Sequence, residues 1–294
     1  MILDIETTGL SPLYTEVILV GIIYYEDNNW KITQIFCDSR QEEKELLLEL
    51  QNYIRKTHML ITYNGHAFDI PYLNKRYKHH GLNYQINPNM NFDLYRVIRS
   101  SKKALKLSNY KLKTIEEYLG IYRQDEISGK ESVELYNQYE YSPKKELRDI
   151  ILLHNYDDIL YMIPTLEIIN HIPESITDRY YPFVFETIDY GTVVITEYKE
   201  EQNYINILAQ SNQELKPIIN YNDGFGLEIM NQSIKLKLPI FYIGDRRFID
   251  VDTLPFYNNS FNSLTLEEQL KLEITTKKNA LTASLKLLET HSLS

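Results

Sequence analysis

The chain opens MILDIETTGL, with Asp4 and Glu6 two residues apart in an otherwise apolar run. Residues i and i+2 of a strand project from the same face, so these carboxylates stand side by side if the run is a strand. Ionised together they repel, and burial costs both their hydration. A divalent cation removes both penalties, because hard cations take oxygen ligands. The plainer alternative is a strand at a sheet edge with both acids in water, the usual place for charged residues. Two further stretches bear on the choice. In ITYNGHAFDIPYL, Asp69 follows a short apolar strand and a loop, a position that suits a helix N-cap and a metal ligand alike. In LLHNYDDILYM, His154 and Asp158 are four apart on a predicted helix and share a face, either as a simple helical pair or as part of a site.

Elements able to position these residues are legible. MILDIE reads as a strand, and EVILVGIIYYEDNNWKITQIFCD as a hairpin turning at EDNN. A strand beginning this close to residue 1 is shorter than expected, and further residues are expected upstream. Residues 41–56 carry helical apolar spacing, HMLITYNG is a short buried strand, and 69–80 form a helix with Pro71 in its first turn. MNFDLYRVI passes from strand to helix, with Asp93 as a structural cap at the junction. KLKTIEEYLGI is a helix stopped at Gly120, and 129–141 and 143–170 are helical, the latter with Ser142 as N-cap and Pro143 at its first position. From 183 to 252 the period is two, clearest in SIKLKLPIFYIG, and 264–289 reads as one closing helix. The expected organisation is an α/β domain over 1–174 and a smaller β-rich domain with a C-terminal helix over 175–294.

Composition narrows the setting. Cys37 is the one cysteine of the 294 residues, so no internal disulfide forms; with no signal-like N-terminus, a cytoplasmic setting is expected. The longest apolar run, VILVGIIYY, is too short for a membrane span, and no membrane partner is expected. The net charge of −10 disfavours a nonspecific nucleic-acid binder. Local charge differs: residues 75–113 hold Lys75, Arg76, Lys78, Arg96, Arg99, Lys102, Lys103, Lys106, Lys111 and Lys113 against Asp93 alone. Such a segment either neutralises phosphates or forms a solvated face. Lys235, Lys237, Arg246 and Arg247 either extend that surface or lie on the solvent face of a sheet. A structural zinc cluster and a Gly-rich phosphate loop are both absent from the sequence.

In chain order, D-x-E, N-x-x-x-F-D and H-x-x-x-D resemble the three motifs of the DEDD (DnaQ-like) 3′–5′ exonuclease superfamily, which has an RNase H-like fold. LDIETTGL is similar to the first motif, NGHAFD to the second and HNYDDIL to the third. LKTIEEYLGI and ISGKESVELYNQY resemble the YprB-type bacterial branch, and the similarity runs from residue 1 to about 170. The resemblance implies an RNase H-like mixed sheet flanked by helices. It makes Asp4, Glu6, Asp69 and Asp158 the ligands of two Mg²⁺ or Mn²⁺ ions and His154 the general base. Family members with a histidine base usually have H-x-x-x-x-D; here a histidine takes the tyrosine-type spacing, so Asp158 fits and Asp157 is the alternative. Thr7, Thr8 and Leu10 fall where a terminal nucleotide packs, with Asn64 of the second motif and Lys102, Lys103 and Lys106 as further substrate contacts. Tyr63, Tyr72 and Tyr110 are candidates for base stacking. The implied activity is metal-dependent phosphodiester hydrolysis from the 3′ end of single-stranded DNA or RNA. A structure-specific endonuclease and a noncatalytic nucleic-acid-binding module fit the same motifs.

Overall fold

The computed structural model describes residues 1–294 except 58, 124–126, 223, 256, 258–259, 276–279, 285–286 and 288–294, and the side chain of residue 178. The chain forms two compact units, Met1–Tyr181 and Pro182–Ser294.

The first unit is built on a mixed five-stranded sheet of β1 (Ile2–Thr7), β2 (Val17–Glu26), β3 (Asn29–Phe36), β4 (Leu60–Thr62) and β5 (Asn91–Asp93), in the order β3-β2-β1-β4-β5. β1, β2 and β3 run antiparallel; β4 and β5 join parallel to β1. The hairpin turns at Asp27 and Asn28, both in the left-handed region that Asn and Asp tolerate. Val17–Ile23 is buried throughout because β2 packs against helix α1 (Glu43–Arg55) and helix α7 (Lys145–Thr165). Burial on both faces explains why this strand reads as a continuous apolar run rather than an alternation. α1 presents Leu46, Leu47, Leu50 and Ile54 to the core at helical spacing.

α2 (Asp69–His79) follows β4, with Pro71 in its first turn. α3 (Leu94–Ser100) follows β5 directly, and α4 (Lys102–Leu105) follows α3. α5 (Leu112–Tyr118) stops before Gly120, whose φ of +75° suits a residue without a Cβ. α6 (Gly129–Tyr141) opens with a capping box of Ser128 and Glu131. α7 begins later than expected: Ser142 closes α6 by donating its N–H to Gln138, and Lys144, still extended, is the N-cap. α8 (Glu174–Tyr180) ends the unit.

The second unit is an antiparallel meander of β6 (Val184–Thr187), β7 (Gly191–Glu200), β8 (Tyr204–Asn222), β9 (Phe225–Ile243) and β10 (Arg246–Ile249). Ile234, Leu236 and Leu238 face its core between outward lysines. The single closing helix expected over 264–289 is broken: α9 (Leu266–Leu272) ends where Glu273 bridges Phe248 and Ile274 donates to the Arg247 carbonyl. Residues 280–284 are helical again, and much of the remaining tail lies outside the described residues.

Candidate metal centre

Asp4 and Glu6 leave the same face of β1, as their spacing requires. The pairing of β1 with β2 shifts register between Glu6 and Thr7, an irregularity that ends the regular ladder beside the carboxylates. Asp69 starts α2, and its carboxylate reaches β1, where the Ile5 amide interacts with it. His154 and Asp158 come from the same face of α7. All five line one cavity of about 770 Å³, together with Thr7, Thr8, Gly9, Leu10, Tyr63, Asn64, Phe68, Gly129, Lys130, Val133 and Glu134. Asp158 is on its wall, whereas Asp157 is not. His154 Nε2 lies 3.6 Å from Glu6 Oε1 and 3.9 Å from Asp158 Oδ2. The ligating atoms of Glu6, His154 and Asp158 all fall within 4.8 Å of one another.

Burial makes this cluster electrostatically expensive without a cation. Desolvation raises the Asp4 carboxyl well above its ordinary range, with Asp158, Asp69 and Glu6 adding repulsion. Desolvation also lifts Glu6 to about 7 against the attraction of His154, and Asp69 to about 7. The carboxylates are hard oxygen donors of the kind Mg²⁺ or Mn²⁺ takes, and those of Glu6 and Asp158, with the His154 imidazole, are the group close enough to share one ion.

The supports of these side chains were harder to read from sequence. Asn155 Nδ2 donates to Asp4 Oδ2 at 2.9 Å, and Gln34 Nε2 donates to Asn155 Oδ1 at 3.0 Å. Gly21 makes the approach of α7 to the sheet possible: a Cβ there would lie 2.2 Å from Asn155 Oδ1. Ser132 of α6 is buried, and its hydroxyl meets no hydrogen-bond partner among the described residues. Arg123 pairs with both Asp158 and Glu116. Two of these carried a signal. Asn155 interrupts the buried stripe of Ile151, Ile159 and Met162, and Gly21 interrupts an apolar strand, a mark of close approach.

Asp93 caps α3 by accepting from the Tyr95 and Arg96 amides, and it also accepts from the amides of Asn64 and His66 at 2.9 and 3.0 Å. It thereby fixes the loop before Asp69, in which Asn64 takes a left-handed φ of +68°.

The substrate candidates separate. Thr7, Thr8, Leu10, Asn64 and Tyr63 line the cavity, and Leu10 is 86% exposed. Tyr72 is buried, with its hydroxyl on Thr15, and is removed from the stacking set. Tyr110 is half-buried and its carbonyl accepts from the Tyr63 hydroxyl. Lys102, Lys103 and Lys106 are exposed on and just after α4, outside the cavity wall. Arg76 is not a surface cation: it is buried against Glu43, which also accepts from the Val17 amide. In the second unit Lys235, Arg246 and Arg247 pair with Glu228, Glu273 and Glu200, and Lys237 lies over the Tyr204 ring. Among the described residues no helix is long and apolar enough to cross a membrane.

The mixed sheet with its acid-lined cavity defines a class. Residues 1–170 match the RNase_H_2 family model of the RNase H superfamily, and the chain belongs to that superfamily. More particularly, a 113-residue stretch is 29% identical to the PolC-type DNA polymerase III of Ureaplasma parvum serovar 3, covering 31% of this chain and 8% of that protein. Among solved structures, the family B DNA polymerase of Pyrobaculum calidifontis aligns over 79% of this chain and 39% of its own, at 14% identity and a TM-score of 0.46. The zinc-bound E. coli ExoI–ssDNA complex aligns over 72% of this chain and 54% of its own, at 13% identity and a TM-score of 0.36.

Proposed function

We propose that the chain is a metal-dependent nuclease of the DEDD type that removes nucleotides from the 3′ end of single-stranded DNA or RNA. The observation that carries this reading is the convergence of Asp4, Glu6, Asp69, His154 and Asp158, from three distant segments, on one cavity. Membership of the RNase H superfamily and the stretch shared with a DNA polymerase III support a nucleic-acid substrate.

Asp4, Glu6, Asp69 and Asp158 hold two Mg²⁺ or Mn²⁺ ions in this reading. Ions held by these carboxylates would supply charge stabilisation to the attacking and leaving oxygens of a phosphodiester. His154 Nε2, facing Glu6 and Asp158, accepts the proton of the attacking water. Asn155 holds Asp4 in place. Thr7, Thr8, Leu10 and Asn64 surround the terminal nucleotide, with Tyr63 and Phe68 as apolar wall. Lys102, Lys103 and Lys106 contact the phosphates behind it.

A 5′-labelled strand incubated with Mg²⁺ or Mn²⁺ should yield a ladder shortening from the 3′ end. Asp4→Ala should abolish it, and a circular single strand should stay intact. Cutting of the circle would replace the exonuclease reading with an endonuclease. No cleavage of any strand, with oligonucleotide binding retained, would leave a binding module.

A further inference from the structure

We infer that Arg123 is a positioning residue that selects which oxygen of Asp158 faces the cavity. The inference rests on the metal-binding reading above. The Arg123 guanidinium donates through Nη1 to Asp158 Oδ1 and through Nε and Nη2 to Glu116 Oε1. The other oxygen, Asp158 Oδ2, is the one 3.9 Å from His154 Nε2. A carboxylate on a flexible torsion has two nearly equivalent oxygens and broad rotational freedom. The planar fork of Arg123 removes that equivalence by occupying Oδ1.

Two side chains hold Arg123 in this place. Glu116, on α5, is buried and would be left as an uncompensated charge if the guanidinium moved away. The guanidinium carbon lies 5.4 Å from the centre of the Tyr161 ring. Tyr161 follows Asp158 by three residues on α7, so one helix presents both the acid and the ring to Arg123. Glu116 also faces the guanidinium directly, its attraction to Arg123 opposing the burial that pushes its carboxyl up, so Arg123 is not an unbalanced cation beside Asp158. A lone arginine at that distance would instead compete with the ion.

The test pairs the double variant Glu116→Gln/Arg123→Met with Asp158→Asn, both read by electron paramagnetic resonance of Mn²⁺ on the full chain, with circular dichroism to confirm folding. The double variant removes the fork and its counter-charge together. It should lower Mn²⁺ affinity about 10- to 100-fold, the usual effect of deleting a partner that orients a ligand. It should weaken the same ion that Asp158→Asn weakens. Arg123→Lys with Glu116 intact keeps the charge but not the fork and should lose part of that affinity, so a folding defect in the double variant still leaves a comparison. Unchanged or tighter Mn²⁺ binding in either variant overturns the role. If Asp158→Asn loses Mn²⁺ and these variants do not, Arg123 alone is misassigned. If the native chain binds no Mn²⁺, the metal reading itself fails and this inference with it.

Discussion

Asn155 Nδ2 donates to Asp4 Oδ2 across 2.9 Å, joining the late helix α7 to the opening strand β1. Asp4 pairs in register with Gly21 on the neighbouring strand, and the missing side chain at Gly21 leaves the space that Asn155 fills. Asn155→Ala leaves the Asp4 carboxylate unoriented and Gln34 Nε2 without this acceptor. Divalent-ion affinity should fall about 10- to 100-fold, and stability by about 1–3 kcal/mol. Gly21→Ala should produce the same metal defect by collision, with no change to any polar group near the cation. Mn²⁺ titration together with urea unfolding checks both; a variant that loses stability but keeps full affinity would place Asn155 in the packing alone.

Stability of the metal-free protein should fall as pH rises from about 4 to about 7. Glu6 and Asp69, pushed up to about 7 chiefly by burial, bind more protons folded than unfolded across that window. Stability decreases with pH wherever the folded state holds the extra protons, here by on the order of a few kcal/mol. A divalent cation reverses the preference by favouring the ionised forms, so its affinity should rise through the same window as protons are displaced. Thermal unfolding in chelator should therefore give a lower midpoint at pH 8 than at pH 6, and Mn²⁺ should restore the loss. Glu6→Gln should flatten the metal-free profile; a slope unchanged in that variant would dissociate the effect from this cluster.

That Asp4 and Glu6, and His154 and Asp158, face one cavity was legible from sequence because their spacing is local: i and i+2 on a strand, i and i+4 on a helix. Each places two groups on one face whatever the tertiary fold does. The hairpin, the helix after Asp69 and the alternation of the second unit were legible for the same reason. What holds the groups in place was not. The contacts of Asn155 with Asp4, Asp93 with the 64–66 amides and Arg123 with Asp158 link positions 151, 29 or 27, and 35 residues apart. No local period encodes such pairs. Arg76 shows the converse error of counting charge along the chain: one of the ten cations in the basic segment is buried in an ion pair with Glu43.

Asp93 ties the loop that leads to Asp69 as well as capping α3. Asp93→Ala removes the acceptor of four backbone amides, those of Asn64, His66, Tyr95 and Arg96. The expected cost is about 1–2 kcal/mol for the lost cap. The freed loop should also weaken cation binding through Asp69: Asp93 is not on the cavity wall, but it holds the amide of Asn64, which is, and its charge acts on Asp69. Asp93→Asn keeps an acceptor for the amides of Asn64, Tyr95 and Arg96 but sets an NH2 against that of His66, and should recover part of the stability. Hydrogen exchange checks the assignment: faster at the Asn64 and His66 amides in the alanine variant, and faster at His66 alone in the asparagine variant.

The cations of the basic segment should divide into two groups by mutation. Lys102, Lys103 and Lys106 are exposed, and their replacement by Ala should leave stability within about 0.5 kcal/mol. If they meet phosphates, oligonucleotide affinity falls and its logarithmic dependence on salt loses about 0.7 in slope for each contact removed. Arg76→Ala should do the reverse. Its guanidinium donates to the buried Glu43 and to the Pro12 carbonyl. Removing it strands a buried carboxylate at a cost of about 3–5 kcal/mol, with no specific change in salt slope for the fraction that stays folded. His80 Nε2 also lies 2.6 Å from the same Glu43 carboxylate, so the buried acid keeps one hydrogen-bond partner when Arg76 is removed. Fluorescence-anisotropy titrations at several salt concentrations, beside denaturant unfolding, distinguish the two groups. A salt slope unmoved by the triple lysine variant would assign those lysines to solvent.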